Sequence, residues 1–308
     1  MNILHVYRGY GKSLINPVID NQIAMLSGSD DSIYRFILNK GGIRYLTNIL
    51  NLRRAVEKNN IDIIHAHYSF SGFMSGLAFS GKPVVCSLMG SDVLGNKYLK
   101  FVTVCFSIWF WEVIIVKSRE MQKFVKRSSI IPNGVDTGNF SPKCREEALA
   151  HTNFSDNVKN VIFIAADPYA DVKNRVLAEK AIARANQKFS KNIHLHFLDS
   201  VKFEELPYYY SAADLLLLTS KSEGSPNVIK EAMACNCPIV STDVGDVREV
   251  IAKINGCYLT SFAIEDVADK IIMGINYGIR TNGRMKIKSY SNKVIAEKIT
   301  NTYKSCQK

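Results

Sequence analysis

The sequence predicts an α/β protein built from two Rossmann-like domains that face each other across a cleft. Short runs rich in Val and Ile alternate with longer amphipathic segments from end to end, a pattern typical of parallel sheets covered by helices. A turn-rich segment at 132–142 interrupts this alternation, and 308 residues suit two domains better than one. We therefore expect an N-terminal domain at 1–140, a C-terminal domain at 141–288 and a last helical segment at 289–308.

The first half is predicted to form one sheet, with helices in the gaps between its strands. The clearest of these helices spans 42–58. The predicted strands are 3–7, 34–38, 61–67, 83–88, 113–117 and 129–132.

The second half repeats the same rhythm after a polar segment that extends to Asn160. Its predicted strands are 161–165, 194–198, 215–218, 239–242 and 257–259. Its predicted helices are 173–188, 203–211, 226–235, 247–252, 264–277 and 292–305. Ligands of doubly wound sheets bind beyond the carboxyl ends of the strands, so the loops after these strands are where chemistry is expected.

Composition narrows the compartment and the partners. The seven cysteines form an odd set without a C-x-x-C pair, and the N-terminus lacks the features of a secretory signal, so we expect the reducing cytoplasm. A formal net charge of +11 indicates an anionic partner. Nucleic acid is not expected, because no finger spacing, RNP-like strand or compact arginine cluster accompanies the charge.

The segment 101–116 is the most lipid-like part of the chain. It is shorter than the roughly 20 apolar residues of a bilayer crossing and contains Glu112. One interpretation is a buried helix that runs into a buried strand, with the break near Glu112. The alternative is that its aromatic residues rest on a membrane surface, assisted by the neighbouring lysines 97, 100 and 117.

The segment 214–234 reads as a buried strand, a tight polar loop and a helix. Ser225 is expected to cap this helix, with Pro226 at its first position, while Gly224 permits close approach of a ligand. The free N–H groups of Asn227 and Val228 would then form an anion site suited to a diphosphate.

Two carboxylates flank that helix start. Glu223 lies in the loop and Glu231 lies more than one turn inside the helix. Because carboxylates repel phosphate, they are expected to accept hydrogen bonds from sugar hydroxyls instead. This combination indicates a nucleotide sugar.

The spacing from Glu223 to Glu231 resembles the Glu-x7-Glu motif of retaining family-4 glycosyltransferases, which have the GT-B fold. The resemblance implies that Glu231 binds the ribose, that Glu223 contacts the donor sugar, and that amides from Gly224 to Val228 hold the sugar or diphosphate. It also implies that the last helix crosses back to the first domain. Further segments similar to the family are 131–136, 212–214, 241–245 and 290–303.

Other positions fit the family with departures. Lys173 matches a lysine that neutralises the diphosphate, but Ala166-Asp167 occupies the usual arginine position, which leaves Arg175, Lys221 or Arg8 as substitutes. In the first half, Met89 replaces a usual histidine before Gly90 and Asp92, which remain candidates for contacting the sugar or acceptor.

Two histidine pairs and a glycine pair complete the candidates. Gly9 and Gly11 follow the first strand and suit a loop that admits the diphosphate or acceptor, since the Walker A spacing is not met. The pairs at 65/67 and 194/196 each share one strand face, but no third ligand of plausible spacing is evident in the sequence. We therefore expect no metal, and no cofactor other than the donor substrate.

The sequence thus predicts transfer of a sugar from a nucleoside diphosphate sugar to a glycan or lipid-linked hydroxyl acceptor, by an EC 2.4 hexosyltransferase. Retention of configuration is implied by the resemblance to the family. Polysaccharide or glycolipid assembly at the inner face of a membrane is the expected setting. Two alternatives remain open. One is a catalytically weak nucleotide-sugar-binding subunit, suggested by Met89 and Asp167, and the other is a peripheral membrane scaffold.

Overall fold

The computed structural model of the chain describes residues 1–9, 17–27, 31–39, 44–190 and 192–307. The chain divides into two compact units, one formed by Met1–Asn133 with Asn292–Lys308 and the other by Gly134–Ser291. The junctions therefore lie at 133/134 and 291/292, whereas the sequence placed them at 140/141 and 288/289.

The first unit contains a parallel sheet in the order β2-β1-β3-β4-β5-β6. Its strands are β1 (Asn2–Arg8), β2 (Ser32–Leu38), β3 (Ile63–His67), β4 (Val84–Ser87), β5 (Val113–Val116) and β6 (Ser128–Ile130). Its helices in this part of the chain are α1 (Pro17–Leu26), α2 (Arg44–Lys58), α3 (Ser69–Leu77), α4 (Ser91–Leu94), α5 (Lys97–Trp109) and α6 (Arg119–Gln122). Apolar clusters cover both faces of the sheet, which explains why its strands are nearly continuous apolar runs.

The second unit contains a five-stranded parallel sheet in the order β11-β10-β9-β7-β8. Its strands are β7 (Lys159–Ile164), β8 (Ile193–Leu198), β9 (Leu215–Leu218), β10 (Ile239–Thr242) and β11 (Cys257–Thr260). Its helices are α7 (Arg145–Thr152), α8 (Arg175–Lys188), α9 (Leu206–Ala212), α10 (Asn227–Ala234), α11 (Val247–Ile251), α12 (Ile264–Asn276) and α13 (Gly283–Ile287). The last helix, α14 (Asn292–Ser305), belongs to the first unit.

Two parallel-sheet α/β domains confirm the predicted fold class. In the second unit the strand order reverses between β7 and β9, because the chain adds β8 on one side of β7 and β9 on the other. Loops that leave adjacent strands on either side of such a switch point diverge and leave a crevice between them. The loops after β7 and β9 are therefore the place to look for a ligand site.

Two sequence expectations need correction. The polar segment up to Asn160 contains the helix α7, with Ala148 and Thr152 buried. The segment 101–116 does break into a helix and a strand near Glu112, but α5 is not a buried helix, since only Thr103 and Ser107 among its residues are buried. No helix within the described ranges has the length and apolar content that a bilayer crossing requires.

Candidate functional site

The two loops at the switch point of the second unit meet through an ion pair. The Nζ of Lys173, from the β7–α8 loop, lies 2.7 Å from Oε1 of Glu223 in the β9–α10 loop. Both side chains are partly exposed, at 26% and 18%. The hydroxyl of Ser220 donates a second hydrogen bond, of 2.8 Å, to the same carboxylate oxygen. The structure thus brings together two of the three residues that the sequence nominated for catalysis.

Backbone contacts fix these loops to each other. The N–H of Lys221 donates to the carbonyl of Val172 over 2.8 Å. The hydroxyl of Thr219 donates to the carbonyls of Lys173 and Asn174, at 3.1 and 3.0 Å. These hydrogen bonds fix the backbone of the two loops relative to each other, and so they keep the ammonium of Lys173 beside Glu223.

The helix start differs from the sequence prediction by one residue. The helix α10 begins at Asn227, with Pro226 in extended conformation as its N-cap, so Ser225 is not the cap. The hydroxyl of Ser225 instead donates to Asp246 over 2.8 Å and accepts from Lys230 over 2.8 Å. The buried ammonium of Lys230 and the carboxylate of Asp246 need hydrogen-bonding partners, and Ser225 supplies one to each.

Lys230 and Asp246 form a buried ion pair close to the β9–α10 loop. Their closest N···O distance is 2.9 Å, and their side chains are 0% and 7% exposed. Because Ser225 joins this pair, the triad ties the start of α10 to the β10–α11 loop. The carboxamide oxygen of Asn227 lies in the same region, buried and without a hydrogen-bond partner among the described residues. The first-turn amides of α10 lack intrahelical acceptors, as at any helix start.

Gly245 allows the two loops to approach closely. Its φ of +59° is in the left-handed region, and a Cβ placed there would lie 2.7 Å from the carbonyl oxygen of Gly224 and 3.0 Å from that of Glu223. Both the backbone conformation and the contact exclude a side chain. Gly245 therefore helps to set the position of the loop that carries Glu223.

Glu231 lies on α10, on the turn after the helix start, and its carboxylate is buried. The hydroxyl of Tyr210 donates to its Oε2 over 2.7 Å. Burial raises the pKa of Glu231 to about 7, although the Tyr210 hydrogen bond and the charge of Lys230 act in the opposite direction. A carboxylate with one oxygen held by a tyrosine keeps its second oxygen available as an acceptor.

The cations proposed to replace the missing arginine are engaged elsewhere. The guanidinium of Arg175 donates to Glu179 over 2.7 Å and stacks on the rings of Tyr169 and Phe197. The ammonium of Lys221 pairs with Asp171 over 2.6 Å. Asp167, at the usual arginine position, accepts a hydrogen bond from the N–H of Tyr169.

The first-unit candidates occupy a different sheet. Both carboxylate oxygens of the buried Asp92 accept backbone N–H groups, from Ser69 and Met89, each over 2.7 Å. This arrangement ties the start of α3 to the β4–α4 loop. Gly90 has a φ of 130°, which a side chain rarely tolerates. Gly9 directly follows β1, with Arg8 stacked on the ring of Phe70, and Gly11 lies outside the described residues.

The histidine pair of β3 has a third histidine beside it, so the expectation that no third ligand exists is wrong. One nitrogen from each of His5, His65 and His67 lies within 4.8 Å of the others, the geometry of a metal-ligand set. In this structure His5 Nδ1 lies 2.9 Å from His67 Nε2, and His65 Nδ1 lies 2.5 Å from the hydroxyl of Tyr303. His5 Nε2 and His67 Nδ1 are buried without a hydrogen-bond partner among the described residues. Burial lowers the pKa of His5 to about 3.

The second histidine pair serves packing. His196 lies 3.0 Å from the carboxamide oxygen of Asn160 and stacks on Phe154, while His194 is exposed.

Comparison with known proteins places both units in one family. The profile described as glycosyl transferases group 1 matches residues 148–276, and the profile described as glycosyltransferase family 4 matches residues 26–139. The chain belongs to the family-4, group 1 glycosyltransferases. The Glu223–Lys173 pair and the start of α10 lie in the segment matched by the group 1 profile.

Similar proteins agree with this family. An uncharacterized glycosyltransferase of Methanocaldococcus jannaschii is 25% identical over 76% of this chain and 72% of its own length. A putative teichuronic acid biosynthesis glycosyltransferase of Bacillus subtilis, TuaC, is 25% identical over 62% of this chain and 56% of its own. The structure of HepE from Anabaena in complex with UDP and glucose has a TM-score of 0.77 at 15% identity, covering 99% of this chain and 100% of that one. The fold of this family-4 glycosyltransferase is therefore GT-B.

Sequence reasoning missed several residues that shape the site of this family-4 glycosyltransferase. They are Ser220, Tyr210, Lys230, Gly245 and Asp246. No local signal marked Lys230, because a lysine on an amphipathic helix is ordinarily a surface residue. Its partner Asp246 is distant in sequence, and only the parallel order of β9 and β10 brings the two together.

Proposed function

We propose that this glycosyltransferase moves a hexose from a nucleoside diphosphate sugar to a hydroxyl acceptor with retention of configuration. The observation that carries the proposal is the 2.7 Å contact between Lys173 and Glu223 at the switch point, beside the start of α10. A cation next to a helix N-terminus suits a diphosphate, and a carboxylate there suits a sugar hydroxyl.

Each donor group then has a partner. Glu231 accepts hydrogen bonds from the ribose hydroxyls, and the backbone N–H groups in the segment from Gly224 to Val228, other than Pro226, which has none, hold the diphosphate together with Lys173. Glu223 binds the hexose. When the diphosphate arrives, it replaces Glu223 as the partner of Lys173, which frees the carboxylate for the sugar.

Catalysis consists of stabilising the departing diphosphate. Lys173 and the positive end of α10 lie where negative charge develops as the bond between the sugar and the diphosphate breaks. An oxygen of the leaving diphosphate accepts the proton of the acceptor hydroxyl, so the acceptor attacks from the same face. Retention in this proposal rests on family membership. The donor is the only small molecule required, and no metal takes part.

In the first unit, Asp92 acts by holding the β4–α4 loop and Gly90 in place rather than by direct proton transfer, because both its oxygens already accept backbone amides. The sequence-based role of Gly9 and Gly11 as a loop that admits the diphosphate or acceptor stays a prediction, because Gly11 lies outside the described residues. Glycan or lipid-linked acceptors and a role in polysaccharide or glycolipid assembly are supported by the similarity to TuaC. We place the reaction in the cytoplasm, which seven free cysteines support.

A nucleotide screen tests the donor site. We expect UDP, GDP or ADP, or one of their sugars, to raise the melting temperature by mass action. The substitution Glu231→Gln should lower the affinity for that nucleotide at least tenfold, as measured by calorimetry. Glu223→Gln should lower turnover and leave the nucleotide affinity nearly intact. Glu204→Gln, on an exposed side chain of the same unit, is the matched control. Unchanged binding and kinetics in both site variants would remove the assignment.

A second function is a nucleotide-sugar-binding subunit with little activity of its own. The observation in its favour is that Arg175 and Lys221 are paired elsewhere while Asp167 occupies the usual arginine position. This function predicts a nucleotide that binds tightly by calorimetry while neither hydrolysis nor transfer occurs with any donor. If the purified chain releases free nucleoside diphosphate from a donor, it is an active enzyme and not a binding subunit.

A further inference from the structure

The helix α5 presents an apolar face that no other part of the described structure covers. Tyr98, Phe101, Ile108 and Trp109 are 78%, 68%, 55% and 81% exposed. Their spacing, with the half-buried Cys105 between them, places them along one side of the helix. We call these four side chains the α5 outer face.

The other side of α5 packs into its own domain. Leu99, Val102, Phe106 and Phe110 contact the apolar cluster beneath the helix, and the rings of Phe106 and Phe73 lie 4.6 Å apart. Trp111, just beyond the helix, is buried and donates its indole N–H to the carbonyl of Gly72 over 3.0 Å. The aromatic residues of this segment thus divide into an anchored set and an outward set.

Isolated exposed apolar residues are common, but large aromatic residues grouped on one helix face mark an interaction surface. A further exposed aromatic residue, Phe79, lies near the end of the helix, with its ring 6.0 Å from that of Phe110. Tyr and Trp, which combine an apolar ring with a polar atom, are the residues preferred where hydrocarbon meets water.

Positive charges outnumber negative ones on α5 and in the segment that follows it. Lys100 places its ammonium 4.1 Å above the ring of Phe124, so the basic segment at 123–127 adjoins the helix. The charged residues of this region that are not buried are the cations Lys97, Lys100, Arg119, Lys123, Lys126 and Arg127 and the anions Glu112 and Glu120. The excess of cations selects a partner with negative charge.

We propose that the α5 outer face docks on a bilayer surface that contains anionic phospholipids. The helix lies in the plane of the interface, with Phe101, Ile108 and Trp109 among the upper acyl chains and the lysines among the head groups. A protein partner would be expected to bury a mixed rim, whereas aromatic side chains ringed by flexible lysines match a fluid anionic surface. This binding does not depend on the donor chemistry proposed above.

Vesicle binding by the full chain tests the proposal. We expect co-sedimentation with phosphatidylglycerol/phosphatidylcholine vesicles and much weaker binding to pure phosphatidylcholine, with a blue shift of tryptophan emission on binding. Trp109 and Trp111 are the only tryptophans, and Trp109 is the exposed one, so brominated lipid should quench its emission. The double variant Phe101→Ser/Trp109→Ser should lower partitioning by about 100-fold. Lys97→Gln and Lys123→Gln should each lower it about fivefold on anionic vesicles.

The matched control is Leu46→Ser/Leu50→Ser, which removes exposed apolar side chains from α2 of the same unit and should leave vesicle binding unchanged. Melting temperature and nucleotide binding should be the same in all variants, which separates this surface from the donor site. The proposal is overturned if Phe101→Ser/Trp109→Ser binds vesicles like the parent chain, or if neutral and anionic vesicles bind equally. It is also overturned if these substitutions abolish self-association in lipid-free solution and vesicles do not bind at all.

Discussion

Both units hold titratable side chains on or just after their parallel strands, but they leave them in different states. In the first unit, His5, His65 and His67 are fully buried, with one hydrogen bond between His5 and His67 and another between His65 and Tyr303. In the second, Lys173 and Glu223 share one short contact and remain partly open to solvent. The buried histidines are part of the core, with His5 Nε2 and His67 Nδ1 left without a hydrogen-bond partner among the described residues. Groups that pair at a surface can still exchange partners with a ligand.

The same contrast recurs within two consecutive residues of α10. Lys230 points into a closed triad with Ser225 and Asp246, while Glu231 is held by Tyr210 on one oxygen only. Lys230 therefore supports the β10–α11 loop, whereas Glu231 keeps one carboxylate oxygen free to accept a hydrogen bond from a ligand. Four substitutions test whether this division between closed and open groups is real.

The largest effect is expected from Lys230→Met, which leaves the buried carboxylate of Asp246 without its cation. Breaking a buried pair in this way costs about 3–5 kcal/mol of unfolding free energy, measured by urea denaturation. The double variant Lys230→Met/Asp246→Leu should recover most of the loss because no charge remains. Lys188→Met, on the exposed pair with Glu265, should leave the midpoint unchanged. If Lys230→Met and Lys188→Met lower the free energy of unfolding equally, the buried triad contributes no more to stability than an exposed ion pair.

Lys173→Met tests the open pair. Removing a cation from a developing diphosphate should lower kcat by about 10²–10³-fold, while the melting temperature stays within a degree or two of the parent because the side chain is partly exposed. Lys221→Met, on the neighbouring exposed pair with Asp171, is the control and should retain its turnover. A normal kcat in the Lys173→Met variant would mean that a group other than Lys173 stabilises the leaving diphosphate.

The histidine cluster predicts acid sensitivity. Burial lowers the pKa of His5 to about 3 and those of His65 and His67 well below 6.5, so the folded state keeps them neutral. Their contribution is complete above pH 6.5 and is lost as pH falls from there, because the unfolded chain then binds protons that the folded chain does not. For His5 alone, the free energy of unfolding should fall by about 1.4 kcal/mol for each pH unit between about 6.5 and 3.

This loss is measured as the melting temperature at intervals from pH 7.5 to pH 5. His5→Gln should flatten the dependence, and His194→Gln, on an exposed histidine, should leave it as it was. A parent chain whose stability does not change between pH 6.5 and pH 5 contradicts the buried neutral cluster.

The smallest effect is expected from Tyr210→Phe, which removes the hydrogen bond to Glu231 that lowers the pKa of this carboxyl. In the parent enzyme, donor affinity should rise as pH increases through about 7, because the ionised carboxylate is the better acceptor for ribose hydroxyls. The variant should move this profile upward by somewhat less than one pH unit. The readout is KM for the donor against pH, and Tyr209→Phe is the control. A profile that does not move separates Tyr210 from the ionisation of Glu231.

Local patterns predicted the elements well where apolar runs end at turn residues. The strands β9 and β10 and the helix α14 begin and end where the sequence placed them. The helix α5 was interpreted as buried because its residues are apolar, yet hydrophobicity cannot tell a covered face from an exposed one. Contacts between distant elements were beyond reach for the same reason: His5 meets His67 only because β1 and β3 are neighbours in the sheet.

The placement of α14 in the first unit has a consequence for the order of folding. Tyr303 closes the hydrogen bonding of His65, and Ile295 and Ile299 complete an apolar cluster of that unit. These residues leave the ribosome after Gly134–Ser291, which is continuous in the chain. During synthesis the second unit can therefore complete its core first, while the histidines of the first unit stay open to water until α14 is made.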